Sequence, residues 1–78
     1  MGKVHSIGSK VAIRIYGDDH PPAHFHIVGV DGEAQVEIAT LSVIRGTVPN
    51  KEALAWARAN IEVIKAEWNR INPRFPIV

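Results

Sequence analysis

The sequence predicts an α+β fold: a three- to four-stranded antiparallel sheet with one C-terminal α-helix packed on one face. Three observations carry that prediction. Apolar and polar residues alternate in the first half, a hairpin signal stands at Asp31-Gly32, and an apolar stripe of helical period follows Asn50. The chain has 78 residues, 46% of them hydrophobic, a length suited to a single domain over 1–78. Ordering each residue costs ~1.5 kcal/mol, so a chain this short must bury nearly every apolar face.

The elements follow in order. Val11, Ile13 and Ile15 alternate with Ala12, Arg14 and Tyr16, which reads as a half-buried strand over 11–16. Gly17 to Pro22 interrupts it, because consecutive prolines have no place in a central ladder. Residues 23–30 and 33–38 read as the second and third strands. Asp31-Gly32 between them suits a two-residue type I′ turn, which needs positive φ at both positions. A fourth strand falls within 41–45 and ends at Gly46. The helix spans 50–71, with Asn50 as N-cap and Glu52 at the positive end of the dipole. Its stripe is Leu54, Ala57, Ile61, Ile64, Trp68 and Ile71, and Asn72-Pro73 stops it. The apolar tail, 72–78, is expected to pack back on the domain or onto a partner.

Composition narrows the function classes. Nine Lys+Arg against eight Asp+Glu leave a net charge of +1, which gives no case for tight, non-specific nucleic-acid binding. Lys10, Arg14 and Arg45 are the candidates for a local basic patch. The absence of cysteine excludes disulfides, thiol catalysis and iron–sulfur clusters. No signal-peptide core and no run near ~18 apolar residues stand in the sequence, so a cytoplasmic setting without a membrane partner is expected.

A two-residue turn would set Val30 opposite Glu33, Val28 opposite Gln35 and His26 opposite Glu37. Directly opposed residues share a face. Phe25, Ile27, Val36 and Ile38 then form an apolar face for the helix, while His24, His26, Gln35 and Glu37 share the other. Arg14 and Tyr16 join that polar face, and Asp19 and His20 reach its rim. His24 and His26 stand ~7 Å apart along the strand.

Three readings fit this cluster. It can be the solvated side of an antiparallel sheet, with a weak His26–Glu37 pair. It can hold a divalent metal such as zinc through His24 and His26, completed by His20, Asp19 or Glu37. It can also be an acid–base site needing no cofactor, with His24, His26 and Glu37 moving protons, Arg14 stabilising an anion, and Tyr16 stacking on a base or donating a proton. Histidine's ordinary pKa of ~6.5 suits that work. Elsewhere Trp68 reads as core. Trp56 and Val63 sit on the shoulder of the stripe, where they extend the core or form a patch for a partner or a second copy. His5 reads as an exposed residue near an edge.

The stretch Asp19-His20-Pro21-Pro22-Ala23-His24-Phe25-His26 resembles the D-H-x-P-P-H-F-H signature of a widespread bacterial family of small proteins, a domain of unknown function. The likeness extends to Ile13-Arg14-Ile15-Tyr16, to Gly46-Thr47-Val48-Pro49, and to the helical Trp56-Ala57 and Glu67-Trp68. One departure is that Ala23 separates Pro21-Pro22 from His24. Members are often encoded beside another small uncharacterised protein. The resemblance thus implies one component of a two-gene, toxin–antitoxin-like module with a small protein partner. The expected action is through the His24/His26/Glu37/Arg14/Tyr16 face on an anionic ligand such as RNA or a nucleotide. The alternative is a non-enzymatic protein-binding module, with a metal held by the His-x-His strand.

Overall fold

The computed structural model describes residues 3–17 and 21–77. Its strands are β1 (Lys3–Ile7), β2 (Val11–Arg14), β3 (His24–Val28), β4 (Glu33–Glu37) and β5 (Val43–Gly46), and its helices are α1 (Lys51–Ala59) and α2 (Ile61–Ile71). The strands form one sheet in the order β1-β2-β3-β4-β5, every neighbouring pair antiparallel. The α+β class and the helical face are as the sequence predicts. The counts differ, with five strands in place of three or four and two helices in place of one.

Each difference has a local cause. In β1 the alternation is broken, because the register slips between Lys3 and His5 and leaves Val4 as a bulge. An edge strand with a bulge has no clean period to read. The helical stripe is continuous in sequence, but Asn60 leaves helical geometry at φ −124° and ψ 33°. Its backbone N–H and its side-chain Nδ2 both donate to the Trp56 carbonyl, at 2.9 Å each. These bonds close α1 and let α2 start anew without leaving the sheet. Asn50 caps α1 as expected, its Oδ1 accepting from the Glu52 N–H at 2.7 Å.

The β3–β4 hairpin is also corrected. Its connection is the four-residue stretch 29–32, closed by a 2.8 Å bond from the Gly29 N–H to the Gly32 carbonyl. Neither Asp31 nor Gly32 takes the positive φ of a type I′ turn. The next strand helps hold β4 there. The Thr47 N–H donates to the Glu33 carbonyl at 3.2 Å, and Gly46, at φ 77°, lies so close that a Cβ would meet that carbonyl oxygen at 2.1 Å. The resulting slip is two residues. An even slip keeps every side chain on its predicted face and changes only the partner it meets.

The core forms from Ile13, Ile15, Phe25, Ile27, Ala34, Val36 and Ile38 of the sheet side against Ala53, Ala57, Ile64 and Trp68 of the helices, all at most 1% exposed. The tail returns to α2. Asn69 exchanges two hydrogen bonds with the backbone of Ile77, and the Trp68 Nε1–H donates to the Phe75 carbonyl. Asn72, buried at the end of α2, donates to the Tyr16 carbonyl at 3.1 Å and ties the helix to the end of β2. Among the described residues no helix is long and apolar enough to cross a membrane.

Candidate functional site

Strand parity places His24 and His26 on the face opposite Phe25 and Ile27. The pairing places Lys3 beside Arg14, Arg14 beside His26, His26 beside Gln35, and Gln35 beside Arg45. One row of side chains therefore crosses all five strands, with His26 at its centre and a cation at each end. At ~4.8 Å between strands, the row is ~19 Å wide. His24 begins the adjacent row, directly across from Glu37.

The histidines differ from the solvated side chains that an uncovered sheet face would carry. His24 is 7% and His26 5% exposed, while Arg14, Gln35 and Glu37 are half-buried. The His26 ring meets Tyr16 edge-on at 4.6 Å between centroids, and the His24 ring lies 5.1 Å away. His24 in turn approaches Trp68 at 5.8 Å. The polar cluster is thus built into the end of the core.

Hydrogen bonds set the chemistry of both rings. His24 Nδ1 lies 2.8 Å from the Pro22 carbonyl, which can only accept, so Nδ1 carries the proton. His26 Nδ1 lies 2.9 Å from Glu33 Oε2 and donates to that carboxylate. In the neutral rings Nε2 is then the unprotonated nitrogen of each histidine. The expected His26–Glu37 opposition is replaced, because the two-residue slip sets Glu37 across from His24. Glu37 Oε1 accepts from the Thr40 hydroxyl at 3.1 Å instead. Glu33, diagonal to His26 across the strand pair, is the carboxylate that sequence reasoning missed. Counting a four-residue Gly29-to-Gly32 turn would have found it.

Of the predicted site residues, the structure brings together Arg14, Tyr16, His24 and His26. Glu37 shares their face but bonds elsewhere. His20 and Asp19 lie outside the described residues, and among the described residues no group of three His, Asp or Glu side chains is arranged to hold a metal. Of the anticipated basic patch, Lys10 and Arg14 line one groove together with Lys3, whereas Arg45 lies at the far end of the row. Trp56 is half-buried against the core and stacks on His5, ring centroids 4.1 Å apart and planes 4° from parallel. His5 is accordingly at a sheet edge, as expected, but half-buried. Val63, by contrast, is 52% exposed.

Comparison with known protein families matches residues 11–69 to the family described as Domain of unknown function (DUF4160). The match runs from the first residue of β2 into α2 and includes the histidine strand. No curated protein and no solved structure matches the chain.

Proposed function

The chain belongs to the DUF4160 family of domains of unknown function, and we propose that its polar sheet face is an acid–base site for a phosphodiester ligand, an RNA or a nucleotide. The carrying observation is the alignment of Glu33, His26 and Arg14. A carboxylate orients the imidazole through Nδ1, and Arg14 is the residue paired with His26 on the neighbouring strand. In the reaction this suits, His26 Nε2 takes the proton from a ribose 2′-hydroxyl as that oxygen attacks the adjacent phosphorus. Arg14 holds the phosphoryl oxygens as charge builds on them. The leaving 5′-oxygen receives a proton from Nε2 of a doubly protonated His24 or from the Tyr16 hydroxyl, and the products are a 2′,3′-cyclic phosphate and a free 5′-hydroxyl.

In this reading the protein is one component of a two-gene, toxin–antitoxin-like module in the cytoplasm, with a small protein encoded nearby as its partner. A second reading draws on the Nδ1 bonds of His24 and His26, since metal-bound histidines are oriented in that way. There a divalent ion such as zinc binds both Nε2 atoms. In a third, the face docks a protein without turnover.

The test is cleavage of a labelled RNA by purified protein in the presence of a chelator, compared with His26→Asn and Glu33→Gln. Cleavage lost in the variants supports the acid–base site. Activity only without chelator, or stoichiometric zinc lost in His24→Ala/His26→Ala, favours the metal reading. With no cleavage and no zinc, co-purification with the neighbouring gene product tests the docking reading.

A further inference from the structure

A groove of about 300 Å³ lies beside the histidine row, between the β1–β2 hairpin and the start of the β3–β4 turn. Lys3, Lys10 and Arg14 line it together with the hydroxyl-bearing Ser6 and Ser9, and among the described residues no carboxylate does. The whole chain carries nine basic against eight acidic residues, so this is a local concentration of charge on a nearly neutral protein. Among the described residues none of the three cations forms an ion pair. Their charge is therefore available to a ligand.

We propose that this groove holds the phosphates flanking the one at His26, so that the ligand is a single-stranded polynucleotide rather than a mononucleotide. The inference rests on the phosphodiester reading above and adds its substrate class. Geometry argues for more than one phosphate. Arg14 is one strand from His26, ~5 Å, whereas Lys3 is two strands away on that side and Arg45 two strands away on the other, ~10 Å each. Lys10 lies up to ~13 Å from Arg14 along β2. One phosphate at His26 cannot reach these outer cations, but a backbone with repeated charges meets them in turn. The volume stands at the lower end of small-ligand sites, ~300–1,000 Å³, and leaves room for a nucleotide unit beyond the reacting one. Tyr16 is 36% exposed beside His26 and offers a ring on which an unpaired base stacks, which duplex bases cannot do.

The probe is a labelled ten-nucleotide single-stranded DNA, which lacks the 2′-hydroxyl and so cannot react. Its binding is followed by fluorescence anisotropy across a salt series, with uridine monophosphate and a duplex of equal length as competitors. The wild-type protein should bind the single strand with a steep salt dependence. Lys3→Ala/Lys10→Ala should weaken binding several-fold and reduce the slope of log K against log salt by about 1.4, at ~0.7 per phosphate contact. Lys10→Glu, a single change in an exposed turn, should act in the same direction should the double variant fold poorly. An unchanged slope, or competition by the mononucleotide equal to that by the ten-mer, overturns the proposal.

Cleavage of a dinucleoside monophosphate separates the two levels. If Lys3→Ala/Lys10→Ala cleaves it at the wild-type rate and the ten-mer is not preferred, the groove proposal falls and the phosphodiester site stands. Lysine-dependent binding of the ten-mer without cleavage of any RNA keeps the groove and removes the acid–base reading. Binding and cleaving nothing overturns both.

Discussion

His26 donates from Nδ1 to Glu33, a residue diagonal to it across the β3–β4 pair, and not to Glu37. Because His26 is buried, the bond is structural as well as chemical. Removing the carboxylate by Glu33→Ala leaves a buried N–H without that acceptor and should cost ~1–3 kcal/mol of stability. Glu37→Ala breaks an exposed bond to Thr40 and should cost under ~1 kcal/mol. Urea denaturation of the two variants checks this, and equal losses would contradict the diagonal pairing. In the cleavage assay His26→Asn should lose at least ~10²-fold, the ordinary contribution of a general base, with a smaller loss for Glu33→Gln and little change for Glu37→Gln.

Gly46 and Gly8 both have positive φ, at 77° and 64°, but their surroundings differ. A Cβ at Gly46 would meet the Glu33 carbonyl oxygen at 2.1 Å, while at Gly8 it would meet nothing within 4 Å. Gly8→Ala should therefore cost only the backbone strain, ~1–2 kcal/mol. Gly46→Ala must also push β5 from β4 and should cost clearly more. The shift should be visible in the ring resonances of His26, since Glu33 moves with the strand. Denaturation midpoints for the two variants give the comparison.

Trp56 and Val63 lie seven residues apart yet answer to different environments. Trp56 is stacked on His5 and packed against the core, so Trp56→Ala should remove ~2 kcal/mol and leave oligomeric state unchanged. Val63 is exposed, so Val63→Asp should change stability by less than ~0.5 kcal/mol. Sedimentation and melting of both variants separate core from surface. A shift in assembly on Val63→Asp alone would make that residue an interface between copies.

Glu67 provides a pH dependence with a definite sign. Its hydrogen bonds and ion pair with Arg70 hold its carboxyl below the ordinary value of 4.5. A depressed folded-state pKa gives stability that is fully present above the unfolded value and is lost as pH falls through the folded one. Glu67→Gln should therefore reduce the drop in melting temperature between about pH 4.5 and pH 3 and change little at pH 7. Both side chains are partly exposed, so solvent screening keeps the effect small. Melting curves at the three pH values read it out.

Much of this protein is legible from residue order alone, because side-chain parity in a strand has period two. Phe25, Ile27 and Val36 on one face and His24, His26, Arg14 and Gln35 on the other follow from counting, and they survive a wrong turn length because the slip is even. The stripe from Leu54 to Ile71 is legible for the same kind of reason, at period 3.6. Partner choice is not legible in that way. Whether His26 meets Glu37 or Glu33 depends on how many residues close the hairpin, and β5, pressed on Glu33 through Gly46 and Thr47, helps hold that geometry from outside the hairpin. The break at Asn60, closed by its two bonds to the Trp56 carbonyl, is likewise something no apolar stripe records. Lys3 joins Arg14 and Lys10 only because the bulged edge strand β1 pairs with β2. Local chemistry determined the elements and their faces; long-range packing decided the register, and with it which carboxylate orients the histidine and where the positive charge collects.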